Sequence, residues 1–214
     1  MPSNKPFALT VLSPIIGGTA EGVDHAAAIR SILGRQRWEE RDKRKPSPLA
    51  GIRTLHFARW VVIDDVRSQG WPAREEHLRS KYLLFIADFD GALASFLDCL
   101  RNEARELVRS LWEHCVEFPG VEDGAAFQRY FQHCQLKFTV PFGKFTLPFG
   151  QVTLPFAAYP KSTLPDVLKA LHVQRRMLEF IEKTQGKAPA DLQSDFVEFI
   201  EEVNQDPAPA GGWT

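Results

Sequence analysis

The chain has 214 residues, 44% of them hydrophobic and 25% charged, and 26 Lys and Arg stand against 27 Asp and Glu. This composition is enough for one buried core, and a formal net charge of −1 excludes a global field toward nucleic acid or an anionic membrane. No stretch approaches the roughly 18 apolar residues of a membrane span, and no apolar signal region opens the chain, so a cytoplasmic protein is expected.

Residues 8–13 form a short apolar run that predicts a strand ended by Pro14. Ile15-Ile16-Gly17-Gly18 turns into a helix over 20–33, where Val23, Ala26, Ala27, Ile29 and Leu33 make an apolar stripe and Gly34 is the expected stop. The basic run 35–45 is diluted by Glu39, Glu40 and Asp42 and reads as a solvated loop. Residues 54–63 and 82–91 are rich in β-branched and aromatic side chains and predict two strands joined by a polar connection over 64–80. Asp90 is placed as the N-cap of a long helix through Leu93, Leu97, Leu100, Ala104, Leu107, Leu111 and Cys115. Phe118-Pro119-Gly120 stops it. A helix over 124–136, a strand near 152–158 and a helix over about 164–184 follow. In the last of these, Val167, Leu168, Leu171, Leu178 and Ile181 share a side. Residues 191–203 give one more amphipathic helix, and the Pro- and Gly-rich stretch 206–214 reads as a disordered tail.

The order β-α-β-β-α-β predicts an α+β, ferredoxin-like antiparallel sheet with helices on one face, plus additional C-terminal helices. The expected organisation is one domain over 1–185, a helical extension over 186–205, and the tail.

A repeat interrupts this domain. Residues 137–143, 144–150 and 151–157 read Lys-Phe-Thr-Val-Pro-Phe-Gly, Lys-Phe-Thr-Leu-Pro-Phe-Gly and Gln-Val-Thr-Leu-Pro-Phe-Ala. Pro141, Pro148 and Pro155 forbid a helix and disfavour a central strand. The first two copies therefore read as an extended, turn-broken insertion, and the third as the entry to the last strand. Tandem duplication within a tolerant loop accounts for the repeat. A functional reading makes it a Phe-rich flap over an apolar ligand or partner, with Phe142, Phe149 and, just beyond, Tyr159 as contacts.

Cys99, Cys115 and Cys134 are odd in number and lack CxxC spacing, which predicts reduced thiols. The adjacent pairs His114-Cys115 and His133-Cys134 point different ways on a helix, so no metal site is expected. Strict alternation over 54–63 places Leu55, Phe57, Arg59, Val61 and Ile63 on one face and His56, Ala58, Trp60 and Val62 on the other. His56 and Arg59 are candidates to reach a cavity on the open sheet face. Alternatively, His56 caps a strand edge and Arg59 pairs with Asp88 or Asp90.

The layout, with Ala87-Asp88-Phe89-Asp90-Gly91, resembles the ferredoxin-like dimeric α/β-barrel superfamily, which includes dye-decolourising peroxidases and haem-binding monooxygenases. Those peroxidases carry a Gly-x-x-Asp-Gly motif whose Asp works with an Arg beside haem. By that resemblance Asp90 is the acid and His172 the axial candidate, with Ala87 standing where the motif has its first Gly; no local motif fixes the Arg, and Arg59, with His56 from the strand face, is taken as the catalytic neighbour. The resemblance implies haem as cofactor and a homo-oligomer. Two functions follow as expectations: binding of a planar or apolar ligand, haem included, on the open sheet face with peroxidase-like oxidoreductase chemistry, or a non-catalytic protein-protein interaction module.

Overall fold

The computed structural model describes residues 6–18, 22, 24–39, 47–66, 71, 77–136, 138–142, 145–149 and 162–207. Its organising strand is β3 (Tyr82–Asp90), whose Tyr-Leu-Leu-Phe-Ile-Ala-Asp-Phe-Asp sequence alternates half-buried and buried positions. β1 (Pro6–Pro14) and β2 (Leu55–Ile63) flank it, both antiparallel, in the order β1-β3-β2. Period two sorts the side chains. Leu83, Phe85, Ala87 and Phe89 join Leu9, Val11 and Ser13 on the core side. Leu84, Ile86, Asp88 and Asp90 take the other face with Thr10 and Leu12.

Helices cover the core side. α1 (His25–Glu39) contributes Ala26 and Ile29, α2 (Leu93–Glu103) contributes Phe96, Leu97 and Leu100, α3 (Arg105–Trp112) contributes Leu107, Val108, Leu111 and Trp112, and α4 (Gly124–Cys134) contributes Phe127, Tyr130 and Phe131. Phe85 is the hub: its ring lies 5.0 Å from Trp60, 5.3 Å from Trp112 and 6.4 Å from Phe131. Trp112 Nε1 donates to Ser13 Oγ at 3.1 Å, so the one polar side chain on the core side of β1 is satisfied.

The outer edge of β1 is closed at its middle and at its C-terminal end. Val116 N–H donates to the Pro14 carbonyl at 2.8 Å and Leu136 N–H to the Thr10 carbonyl at 2.9 Å. Gln135 bridges Val11 and Cys115 bridges Ile15, both antiparallel. No described strand pairs with the outer edge of β2.

Several local expectations change. α1 runs through Gly34 to Glu39, because a helical glycine without positive φ costs propensity but does not end a helix, so residues 35–39 are helix rather than loop. The long helix after β3 is split by Ala104, whose φ of −111° and ψ of 29° leave the helical region and separate α2 from α3. Its N-cap is Ala92 and not Asp90, because Gly91 at φ 99° turns the chain first. The first two heptads form a hairpin, β4 (Phe138–Phe142) against β5 (Phe145–Phe149), with Thr139 opposite Pro148 and Pro141 opposite Thr146. Both prolines thus fall on positions of one parity in a two-stranded ladder, where missing N–H groups are tolerated outside the bonded pairs. The third heptad, the strand expected near 152–158 and residues 208–214 lie outside the described residues.

Two further helices follow among the described residues, α5 (Leu164–Thr184) and α6 (Pro189–Gln205). Thr163 and Asp166 form a capping box at the start of α5. Phe180 packs on Phe199 with rings 4.9 Å apart. Arg176 pairs with Glu202 at 2.8 Å and Lys187 with Asp195 at 2.5 Å, while Lys169 Nζ donates to the Val203 and Asp206 carbonyls at the α6 C-terminus.

If the sorting by β3 sets stability, Phe85→Ala should cost about 3–5 kcal/mol by cavity formation. Leu84→Ala, one residue away on the half-buried face, should cost clearly less. Urea denaturation of both variants checks this, and equal costs would contradict the assignment of faces.

Candidate functional site

The open face of the sheet carries Phe57, Arg59, Val61 and Ile63 of β2 across from Asp88, Ile86, Leu84 and Tyr82 of β3. The pairing slips between Leu55 and Phe57, so His56 is the extra residue of a bulge. That bulge overturns strict alternation: Leu55 packs with Ala58, Trp60 and Val62 against the core, and His56 is freed to turn toward the end of β3.

There it meets Asp90. His56 Nε2 lies 3.0 Å from Asp90 Oδ1, with side chains 35% and 12% exposed. Asp90 Oδ2 accepts the Leu164 N–H at 3.1 Å, and the Asp90 N–H donates to the Thr54 carbonyl at 2.9 Å. Asp90 therefore ties the end of β3, the bulge of β2 and the first residue of α5 together, and its carboxylate serves the positive end of α5 as a helix-terminal anion.

The structure brings His56 and Asp90 together and leaves the other candidates apart. Arg59 is exposed and stands opposite Ile86, four residues and about 13 Å along β3 from Asp90 at ~3.3 Å per residue. It pairs with no carboxylate among the described residues. His172 lies eight residues into α5, about 12 Å from the Leu164 that Asp90 holds. Its Nε2 is 3.0 Å from Asp206 Oδ2 and its Nδ1 is 3.4 Å from Arg175 Nη2. Both ring nitrogens of His172 thus have partners on the terminal helices, apart from His56 and Asp90. Asp206, expected in the tail, is instead the partner of His172, which holds its carboxyl below the ordinary range. Phe142 and Phe149 end β4 and β5, and Tyr159 lies outside the described residues.

Two other clusters carry charge or imidazole. A cleft of about 300 Å³ is lined by Gly17, Gly18, Asp24, Asp64, Arg79 and Lys81, among others. Arg30 pairs with Asp64, and Lys81 Nζ lies 3.7 Å from Asp64 and 4.0 Å from Asp24. Asp24 also caps α1 by accepting the Ala26 and Ala27 N–H groups, the largest cause of its lowered pKa being the bond from Ala27. These charges neutralise one another and fasten α1 to the strand connection. Beside them, His25 Nδ1 and His114 Nδ1 are 3.0 Å apart, one ring donating and the other accepting. Burial pushes the His114 imidazole below its ordinary value, opposed by the Glu113 carboxylate and aided by His25. Burial also pushes the Cys115 thiol up to about 12, leaving it inert as a nucleophile. Among the described residues no three His, Cys, Asp or Glu side chains gather as a metal site, and no helix is long and apolar enough to cross a membrane.

The apolar surface is concentrated elsewhere. On α5, Leu171 is 57%, Leu178 58% and Ile181 48% exposed, and on α6 Phe196 is 43%, Val197 54% and Ile200 38% exposed. The heptad spacing of α5 and its capping box were the sequence signals available for this element. That its stripe stays uncovered depends on where α5 leaves the sheet, which Asp90 decides.

Compared with known proteins, the chain matches no family model, no curated protein and no solved structure.

Two measurements test the site. Asp90→Ala should cost about 1–2 kcal/mol and speed amide exchange in the first turn of α5, whereas Asp90→Asn, which keeps an acceptor for Leu164, should cost less. Urea denaturation with residue-resolved hydrogen exchange separates these, and an unchanged α5 in Asp90→Ala would refute the anchor.

For His114 the folded pKa is depressed, so the unfolded chain binds the proton first. The stability it confers is full above pH ~6.5 and is lost as pH falls through its lower folded value. Denaturation midpoints from neutral to mildly acid pH should fall more steeply for the wild type than for His114→Gln. Parallel curves would refute the linkage.

Proposed function

We propose that the chain is a non-catalytic protein-protein interaction module built on a ferredoxin-like α+β scaffold. The observation that carries the reading is the stripe of exposed aliphatic side chains along one side of α5, Leu171, Leu178 and Ile181, with further exposed Phe, Val and Ile side chains on α6. Monomers rarely leave contiguous apolar patches of this kind uncovered unless they bind something.

The scaffold assignment draws its support from topology. The order β1-β3-β2, all antiparallel, with α1 between β1 and β2, is what the first three strands of a split β-α-β-β unit require. Residues 135–136 bond to β1 on the edge that the fourth strand of such a unit would take.

The alternative is a haem-dependent, peroxidase-like enzyme that binds its planar ligand on the open sheet face. It draws support from the approach of His56 to Asp90, but peroxide cleavage needs a positive group beside the departing oxygen as well as a proton acceptor, and Arg59 stands apart from Asp90.

The test uses an anilinonaphthalene dye and haemin in parallel on the folded protein at submicromolar concentration. The dye should bind the wild type, and Leu178→Glu with Val197→Glu should remove most of that fluorescence without changing the helical circular dichroism. A wild type that ignores the dye but takes up haemin with a Soret band and oxidises substrate with peroxide would overturn the reading in favour of the enzyme.

A further inference from the structure

The partner that the geometry of α5 fits is a second copy of this chain. Leu164, Val167, Leu171, Gln174, Leu178, Ile181 and Gln185 follow one another at alternating steps of three and four residues. That is a seven-residue repeat sustained over three heptads, with five of the seven seam positions aliphatic. The α6 helix does not cover it. Lys169, Arg176 and Phe180, which do meet α6, lie on the opposite side of α5. Leu171 and Leu178, one heptad apart at the centre of the stripe, are 57% and 58% exposed.

We propose that α5 pairs antiparallel with α5 of a second copy, an inference that rests on the interaction-module reading and names its partner. The charges beside the seam specify the direction. Arg175 and Glu182 flank it on the same side, one heptad apart, and among the described residues neither forms an ion pair. In an antiparallel pair these flanking positions face their own kind across the two-fold axis. Arg175 then meets Glu182 of the partner subunit, and the contact occurs twice. In a parallel pair they would face Ala170, Met177 and Thr184, which carry no charge. Gln174 places an amide in the seam, which favours one register over a sliding apolar contact. At 21 residues, about 31 Å, the helix supports a short and reversible association rather than an obligate one.

Sedimentation equilibrium of the full chain from micromolar to hundreds of micromolar decides the matter. The wild type should fit a monomer-dimer equilibrium, and Leu171→Glu with Leu178→Glu should remain monomeric throughout while keeping its helical circular dichroism. Arg175→Glu alone and Glu182→Arg alone should each weaken the dimer about fivefold or more by placing like charges together. The double exchange R175E/E182R should restore it. A wild type that stays monomeric, or a dimer indifferent to all four changes, overturns the proposal. A monomer that still binds the dye loses this inference and keeps the module reading, and one that does neither loses both.

Discussion

The alternation of β3 is the constraint on which the rest of the molecule depends. A strand flanked on both sides must send every second residue to each face, and here one set is Leu83, Phe85, Ala87 and Phe89, all fully buried. Phe85 gathers Trp60, Trp112 and Phe131, and Phe89 stacks on Phe7 at 5.2 Å and Phe96 at 3.9 Å. Those contacts commit α2, α3 and α4 to one side of the sheet. The other set ends in Asp88 and Asp90, so the strand carries carboxylates to the end where its neighbours change direction.

Asp90 converts that placement into architecture. A carboxylate only 12% exposed needs polar partners, and it finds the His56 imidazole 3.0 Å away and the first N–H of α5. Gly91, at φ 99°, lets the chain turn away immediately afterwards. One side chain thus closes the sheet, uses the β2 bulge and fixes where the terminal helices depart. The α5-α6 pair carries its own internal seam of Phe180, Phe199 and Val203 with salt links around it. It therefore holds together without spending the outer stripe of α5, and that stripe is the surface the proposed function uses.

Much of this was legible in the sequence. The strands around Phe57 and Phe85, the α4 helix and the bounds of α5 follow from side-chain period, because burial on one face writes itself into alternation or a stripe. Three features were not. The bulge at His56 reverses the face of Leu55 without any Gly or Pro to mark it. Asp90 reads as the cap of the helix that follows it in sequence, yet it caps a helix 74 residues further on, a pairing no local pattern encodes. Arg59 reads as a partner of Asp90 and His172 as an axial candidate, but strand register sets Arg59 about 13 Å along β3 from Asp90, and helix rise sets His172 about 12 Å from the Leu164 that Asp90 holds. The heptads concealed their pairing, since prolines argue against a strand until both strands are edges.

Peptide-resolved hydrogen exchange at low and high protein concentration tests the central claim most directly. If the terminal helices are the docking element on a scaffold organised by β3, protection in α5 should rise with concentration while that of β1 and β3 stays constant. Protection that rises instead along β2 and the open sheet face, with α5 unchanged, would contradict the account.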